Sequence, residues 1–240
     1  MTKQISAKMN RDKVMLAQHV MEVRHEASGS FLDVRGFVAD YIRKSGHFLH
    51  WKIDSNVVSF RDEPDKVKKD GAFAGYKNAG YFVNNPETRN YFVDKASSYW
   101  KALIKNGHYE LPKATRFGCR TLVFVPTNSN FEKLNNVVFD AFYTDKARVF
   151  IGGKETDLQF IFNLIEEQFQ VRMSGGPLHE KEAFNYLSFE SEHFEKCGLF
   201  LDIDYYKTQD IDHGSVPKLL NEAINLSWKK IEAIANSLEI

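Results

Sequence analysis

The stretch from Cys197 to Asp212, CGLFLDIDYYKTQDID, constrains this chain more than any other. Apolar and polar residues alternate in it with period two, as in a strand. A polar turn then hands over to the longest amphipathic pattern in the sequence. From Ser215 to Leu238, residues Val216, Leu219, Leu220, Ala223, Ile224, Ile231, Ile234 and Leu238 recur at helical spacing and predict one long helix with one apolar face. A shorter strand-then-helix unit spans residues 79–104.

The remaining elements follow from the same two periodicities. Residues up to about Asp12 read as a loose start, and 17–26 as a strand. Ser30 is placed to cap a helix through Ser45, with Phe31, Val34, Phe37, Val38, Tyr41 and Ile42 on one stripe and Gly46 closing it. Residues 48–60 read as extended. The charged run 61–78, containing PDKVKKDG, predicts an exposed insertion with Val67 and Phe73 outside the main core. Residues 79–84 form a strand, Asn85-Pro86-Glu87 starts a helix, and 116–125 is a further strand. Beyond the linker 126–136, the pattern reads as a hairpin (137–143 and 147–151), a helix (157–169), strands at 183–190 and 198–206, and the closing helix.

In order, the first half gives strand, helix, strand, strand, helix, strand. This predicts an α+β fold of two related ferredoxin-like (βαββαβ-type) lobes, residues 1–126 and 137–240. Residue matches support an internal duplication. Ile42-Arg-Lys-Ser-Gly46 resembles Val171-Arg-Met-Ser-Gly175, and Val57-Val-Ser-Phe60 resembles Tyr186-Leu-Ser-Phe189, both at an offset of 129 residues. Ala79-Gly-Tyr-Phe-Val83 resembles Cys197-Gly-Leu-Phe-Leu201, and Trp100-Lys101 resembles Trp228-Lys229. The expectation is that Gly80 superposes on Gly198 and that each Trp packs on its own lobe's sheet.

Charge narrows the function classes. Thirty-two basic residues balance thirty-two acidic ones, which disfavours a protein held on nucleic acid mainly by phosphate contacts. Cys119 and Cys197 lie in apolar, strand-like surroundings and read as buried free thiols of a reducing compartment. The first residues carry no uninterrupted apolar segment and no run approaches a membrane span, so a soluble, cytoplasmic protein without membrane contact is expected.

Three groupings have the residue types that chemistry requires. Asp202 and Asp204 share one strand face, with Asp210, Asp212 and His213 following in the loop. They read either as oxygen ligands for a divalent cation or, with more weight, as an ion-paired sheet face. Arg116 and Arg120 likewise share a face of their own strand, with Gly118 leaving room between them. They read either as a grip for phosphate or carboxylate or as partners of internal acids, and at least one Arg–Asp contact is expected. Phe150, in Val149-Phe-Ile-Gly-Gly153, and Phe184 and Tyr186, in Ala183-Phe-Asn-Tyr-Leu-Ser-Phe189, have the spacing of paired aromatic strand motifs that stack on RNA bases. Packing between sheet and helices is the competing reading. The histidines and the two cysteines have no zinc-like spacing, and no Gly-rich phosphate loop, nucleophile elbow or H-E-x-x-H occurs.

Trp100 followed by Arg116-Phe-Gly-Cys-Arg120, then Leu201-Asp-Ile-Asp-Tyr205, then the helix to Leu238, resembles a sporadically distributed family of uncharacterised prokaryotic proteins of similar length. Their shared features are an R-x-G-x-R strand, an L-D-I-D-x-[YF] strand and a closing amphipathic helix. That family tends to continue Tyr-x-Asn after the second arginine, where this chain has Thr121-Leu122-Val123. The resemblance implies a fold and no catalytic mechanism. The function expected is therefore a non-enzymatic binding or scaffolding protein acting through a protein partner, without cofactor or metal. An RNA- or single-strand-binding module using sheet aromatics is the alternative, and a metal-dependent hydrolase using the Asp202/Asp204 face comes third.

Overall fold

A computed structural model describes residues 14–62, 69–153 and 155–240 of the chain, and among these residues nine strands pair antiparallel in one sheet. In chain order the elements are β1 (Leu16–His25), α1 (Phe31–Lys44), β2 (His50–Ile53), β3 (Val57–Arg61), β4 (Asp70–Gly75), β5 (Asn78–Asn84), α2 (Arg89–Ile104) and β6 (Ala114–Pro126). Then come α3 (Phe131–Phe142), α4 (Asp145–Ile151), β7 (Phe160–Glu166), β8 (Phe169–Leu178), β9 (Gly198–Lys207) and α5 (Val216–Ser237). The strand order is β2-β3-β4-β5-β1-β6-β9-β8-β7. The mixed α+β class is as expected. The chain's two halves meet inside one sheet, where β6 pairs with β9 from Phe117–Lys207 to Pro126–Gly198.

Alternation decides the two sheet faces. Odd-numbered residues of β1, β6 and β9, among them Met21, Val23, Phe117, Cys119, Val123, Leu201, Ile203 and Tyr205, are buried under the helices. The main core lies there, filled from above by Phe31, Phe92, Trp100, Leu134, Leu220 and Ile231. On the other face, residues 179–196 cross one end of the sheet and cover a second, smaller cluster built on Leu16, Leu122, Phe124, Phe194 and Phe200. Gln18 and Asn84 pin this crossing segment through the backbone and hydroxyl of Ser188. The rest of that face is open.

Several expected elements formed where the pattern placed them. β1, β5, β6, β9 and α5 agree to within a residue or two, and α1 ends on Gly46 in the left-handed region at φ 78°, which an L side chain resists. Both cysteines are free and buried.

Others differ for identifiable reasons. Four strands, not two, separate α1 from α2, so the βαββαβ order is not the observed one. The expected insertion 61–78 contains β4, an interior strand with Asp70 and Ala72 buried. Phe73 is half-buried on the open face, and Val67 lies outside the described residues, as does the expected loose start through Asp12. Asn85 takes a left-handed φ of 46°, and α2 begins instead after Thr88.

The expected hairpin 137–151 is α3 and α4. Asn130 caps α3 by accepting from the Lys133 backbone N–H at 2.9 Å, and Leu134, Val138 and Phe139 bury at helical spacing. The expected helix 157–169 is β7 and its turn, and the expected strand 183–190 is a short 3-10 turn followed by irregular chain. Two of the four internal matches therefore join unlike structures: the end of α1 with β8, and β3 with the crossing segment. The other two join like with like, β5 with β9 and α2 with α5.

Nor does each Trp stay over its own half. Trp100 donates through Nε1 to the His213 carbonyl at 2.8 Å, while Trp228 lies edge-on to His19, 5.7 Å between ring centroids, with the Arg89 guanidinium over its ring.

Candidate functional site

β1, β6, β8 and β9 present their even-numbered side chains together on the uncovered face. In the pairing register Arg120 lies opposite Asp204, which is itself opposite Arg172, and Gly118 lies opposite both Glu22 and Tyr206. The arginines reach diagonally. Arg116 donates to Asp204 Oδ2 at 2.7 Å, and Arg120 holds Asp202 with two bonds, Nε to Oδ1 at 2.8 Å and a terminal nitrogen to Oδ2 at 2.6 Å. Gly118 leaves the space in which the Arg116 guanidinium lies along the sheet, 4.9 Å over the Tyr206 ring, and a Cβ there would push that guanidinium aside. The expected Arg–Asp contact is therefore present twice.

Beside this ladder Glu22 accepts from Arg24 at 3.2 Å and from Asn78 at 2.9 Å. Burial raises the Glu22 carboxyl, but the hydrogen bonds from Arg24 and Asn78 outweigh it and hold the pKa below the usual value. Asp204 goes the other way: desolvation raises it above the usual carboxylate value despite Arg116 and Arg120. The Asp202 contact in turn holds Arg120 more firmly protonated.

Where the ladder meets the crossing segment, a cleft of about 180 Å³ opens among Arg120, Asp202, Ser174, Gly176, Gln159 and Tyr186. Of the three aromatics expected on strands, Tyr186 lines this cleft, its ring 4.7 Å from that of Phe200. Phe184 sits in the 3-10 turn against Phe194, and Phe150 is on α4. None of the three belongs to a strand, so the paired-strand stacking platform is not formed. Among the described residues no group of three His, Cys, Asp or Glu side chains is placed to hold a metal ion. No described helix is long and apolar enough to cross a membrane.

The ladder is testable as a pair. Arg116 and Asp204 are each about a quarter exposed or less, so Asp204→Ala should cost about 2 kcal/mol. Its double-mutant cycle with Arg116→Ala should return a coupling of about 1 kcal/mol or more, read from denaturant midpoints. Arg120 is half exposed, and its cycle with Asp202 should return less, within about 1 kcal/mol. Additive losses in both cycles would mean the contacts contribute no mutual stabilisation.

A second surface was not foreseen. β7, the outer strand, reads FIFNLIE and exposes Ile165 at 87% and Ile161 at 55% on the open face, with Phe162 and Leu164 on the other. The joint between α3 and α4 rests on its start. Phe142 stacks on Phe160 with centroids 4.1 Å apart, and the Tyr143 hydroxyl donates to the Gln159 carbonyl at 2.7 Å. From there α4 exposes Phe150 at 85% and Val149 at 78%. A helix reading of 157–169 had hidden this, because Leu158, Phe162, Ile165 and Phe169 also fit a spacing of three to four. The discriminating signal was the alternation FQVRM after the two-residue turn Glu167-Gln168, which marks a hairpin arm.

Comparison with known protein families and with curated proteins finds no match to this chain.

Proposed function

We propose that the protein is a non-catalytic binding or scaffolding protein that works through a protein partner, with the β7–α4 edge as its working surface. The observation that carries this reading is the apolar exposure there, led by Ile165 and Phe150, on a sheet whose charged face satisfies most of its own groups. Large apolar side chains exposed in groups, on one edge strand and one short helix, exceed the scattered single ones that a soluble surface normally carries.

The same reading includes an internal duplication. Strand order from β3 to β7 reads alike from both ends, each outer meander feeds a helix (β3-β4-β5-α2 and β7-β8-β9-α5), and α2 packs on α5. The two tryptophans reach across the midline reciprocally, which supports a pseudo-two-fold relation. A scaffold of this kind holds its edges rigidly apart.

The test is photo-crosslinking in the native host from a benzoylphenylalanine placed at position 150 or 165, with position 24 as the open-face control. Protein adducts from both positions and none from position 24 are the expected result, and the adducts from 150 should disappear in an Ile165→Lys background. Absence of such adducts overturns the reading. Single-stranded RNA binding that weakens steeply with salt would replace it with a nucleic-acid-binding reading.

A further inference from the structure

We infer that the partner of the β7 edge is a second copy of this chain, joined by antiparallel pairing of β7 with β7 about a two-fold axis through Asn163. This rests on the β7–α4 edge being the working surface and names its occupant.

Edge strands offer unpaired backbone groups to any passing strand, and proteins usually blunt them with charge, proline, a bulge or brevity. β7 has none of these defences. Its register with β8 runs unbroken from Phe160–Gly175 to Glu166–Phe169. Its one charged residue, Glu166, is occupied by Tyr205 at 2.6 Å and Lys230 at 2.8 Å. The opposite edge is managed differently. β2 has only four residues, Lys52 pairs with Asp54, and the Arg43 guanidinium lies over Trp51 at 5.5 Å.

β7 is also complementary to itself. A two-fold axis perpendicular to the sheet keeps each side chain on its own face, so only residues of like parity can oppose one another. Centring on Asn163 places Ile161 opposite Ile165, Phe162 opposite Leu164, and Asn163 opposite itself. Moving the centre one residue toward either end sets Asn163 against an isoleucine. Asn163, the one polar residue between Ile161 and Ile165, thus disfavours both neighbouring registers, as polar residues do in other symmetric interfaces. The backbone agrees. A two-residue turn is closed by a hydrogen-bonded pair, here Glu166 and Phe169, so alternation directs the N–H and C=O groups of Ile161, Asn163 and Ile165 outward, where they meet no backbone partner among the described residues. These three residues face one another in the Asn163-centred register.

The exposed parts of Ile161, Phe162, Leu164 and Ile165 alone amount to roughly 400 Å² per copy, a small interface half to which the backbone pairing of the two strands adds. Pairing would extend the sheet across two chains.

Sedimentation equilibrium of the full chain, with non-reducing electrophoresis of cysteine variants, tests this. The wild type should be dimeric at micromolar concentration, and Ile165→Lys should weaken the dimer about 100-fold or more by forcing a charge against Ile161 of the other copy. Asn163→Cys should oxidise to a disulfide dimer mapped to 163–163, because directly opposed residues fall within disulfide reach. Phe162→Cys, opposed to leucine, should not. Should Ile165→Lys fail to fold by circular dichroism, the Asn163→Cys result decides alone. A chain that stays monomeric at 100 µM, or a dimer indifferent to Ile165→Lys that forms no 163–163 bond, overturns the inference. If the photo-crosslinks at 150 and 165 persist to other proteins in that case, the binding reading stands and only the self-pairing falls.

Discussion

Lowering the pH from 7 to 4 is expected to remove about 3 kcal/mol of stability through His19 alone. This side chain sits on the helix-facing side of β1, fully buried, stacked on Phe92 at 5.2 Å and edge-on to Trp228. Nδ1 shares a 3.0 Å hydrogen bond with the Thr121 hydroxyl, and Nε2 has no hydrogen-bond partner among the described residues. Burial holds its pKa down at about 3. In the unfolded chain the imidazole takes up a proton below about 6.5, while in the fold it stays neutral until about 3. Across that window the unfolded state binds more protons, so stability falls as pH falls.

Glu22, lowered in the fold, acts in the same sense at the acid end. Asp204, raised by burial, opposes it by holding its proton more readily when folded. Comparing denaturation of the wild type with His19→Gln at pH 7, 5 and 4 isolates the histidine, since the carboxylates are common to both. The variant should lose about 3 kcal/mol less over the range. Parallel pH profiles would show that His19 is solvated or titrates normally.

Trp100→Ala is expected to cost about 3–5 kcal/mol, the range for deleting a large buried aromatic. Trp100 is wholly buried on α2, and its bond to the His213 carbonyl ties that helix to the turn entering α5. The Arg89–Glu232 pair and the Trp228 ring under Arg89 make the same connection from the other direction. With β6 and β9 paired along ten residue positions, the halves share one hydrophobic interior. The loss should therefore appear in a single transition, with far-UV circular dichroism and tryptophan fluorescence coincident in both wild type and variant. Two separable transitions, with only one moved by the substitution, would instead mean that residues 1–126 and 137–240 fold as independent lobes.

The ladder of Arg116, Arg120, Asp202 and Asp204 was legible because it depends on strand parity alone. Gly118 between two arginines, and isoleucine between two aspartates, can be sorted onto faces without any tertiary knowledge. The diagonal pairing was not legible, since it follows from the β6–β9 register, which no local pattern encodes.

The helix α5 and strands β1, β5, β6 and β9 were determined by the sequence by itself, because each has one clear period and clear ends. The misread segments, 137–151 and 157–169, carry apolar residues that satisfy two periods at once, and 61–78 hides an interior strand behind a charged run. There only long-range pairing chooses: 160–166 extends because β8 offers it a ladder, and 70–75 because β3 and β5 close on it from both sides. Whether two halves make two sheets or one was likewise a tertiary decision. The free energy that settles it comes from joining β6 to β9 and α2 to α5, contacts between residues far apart in sequence.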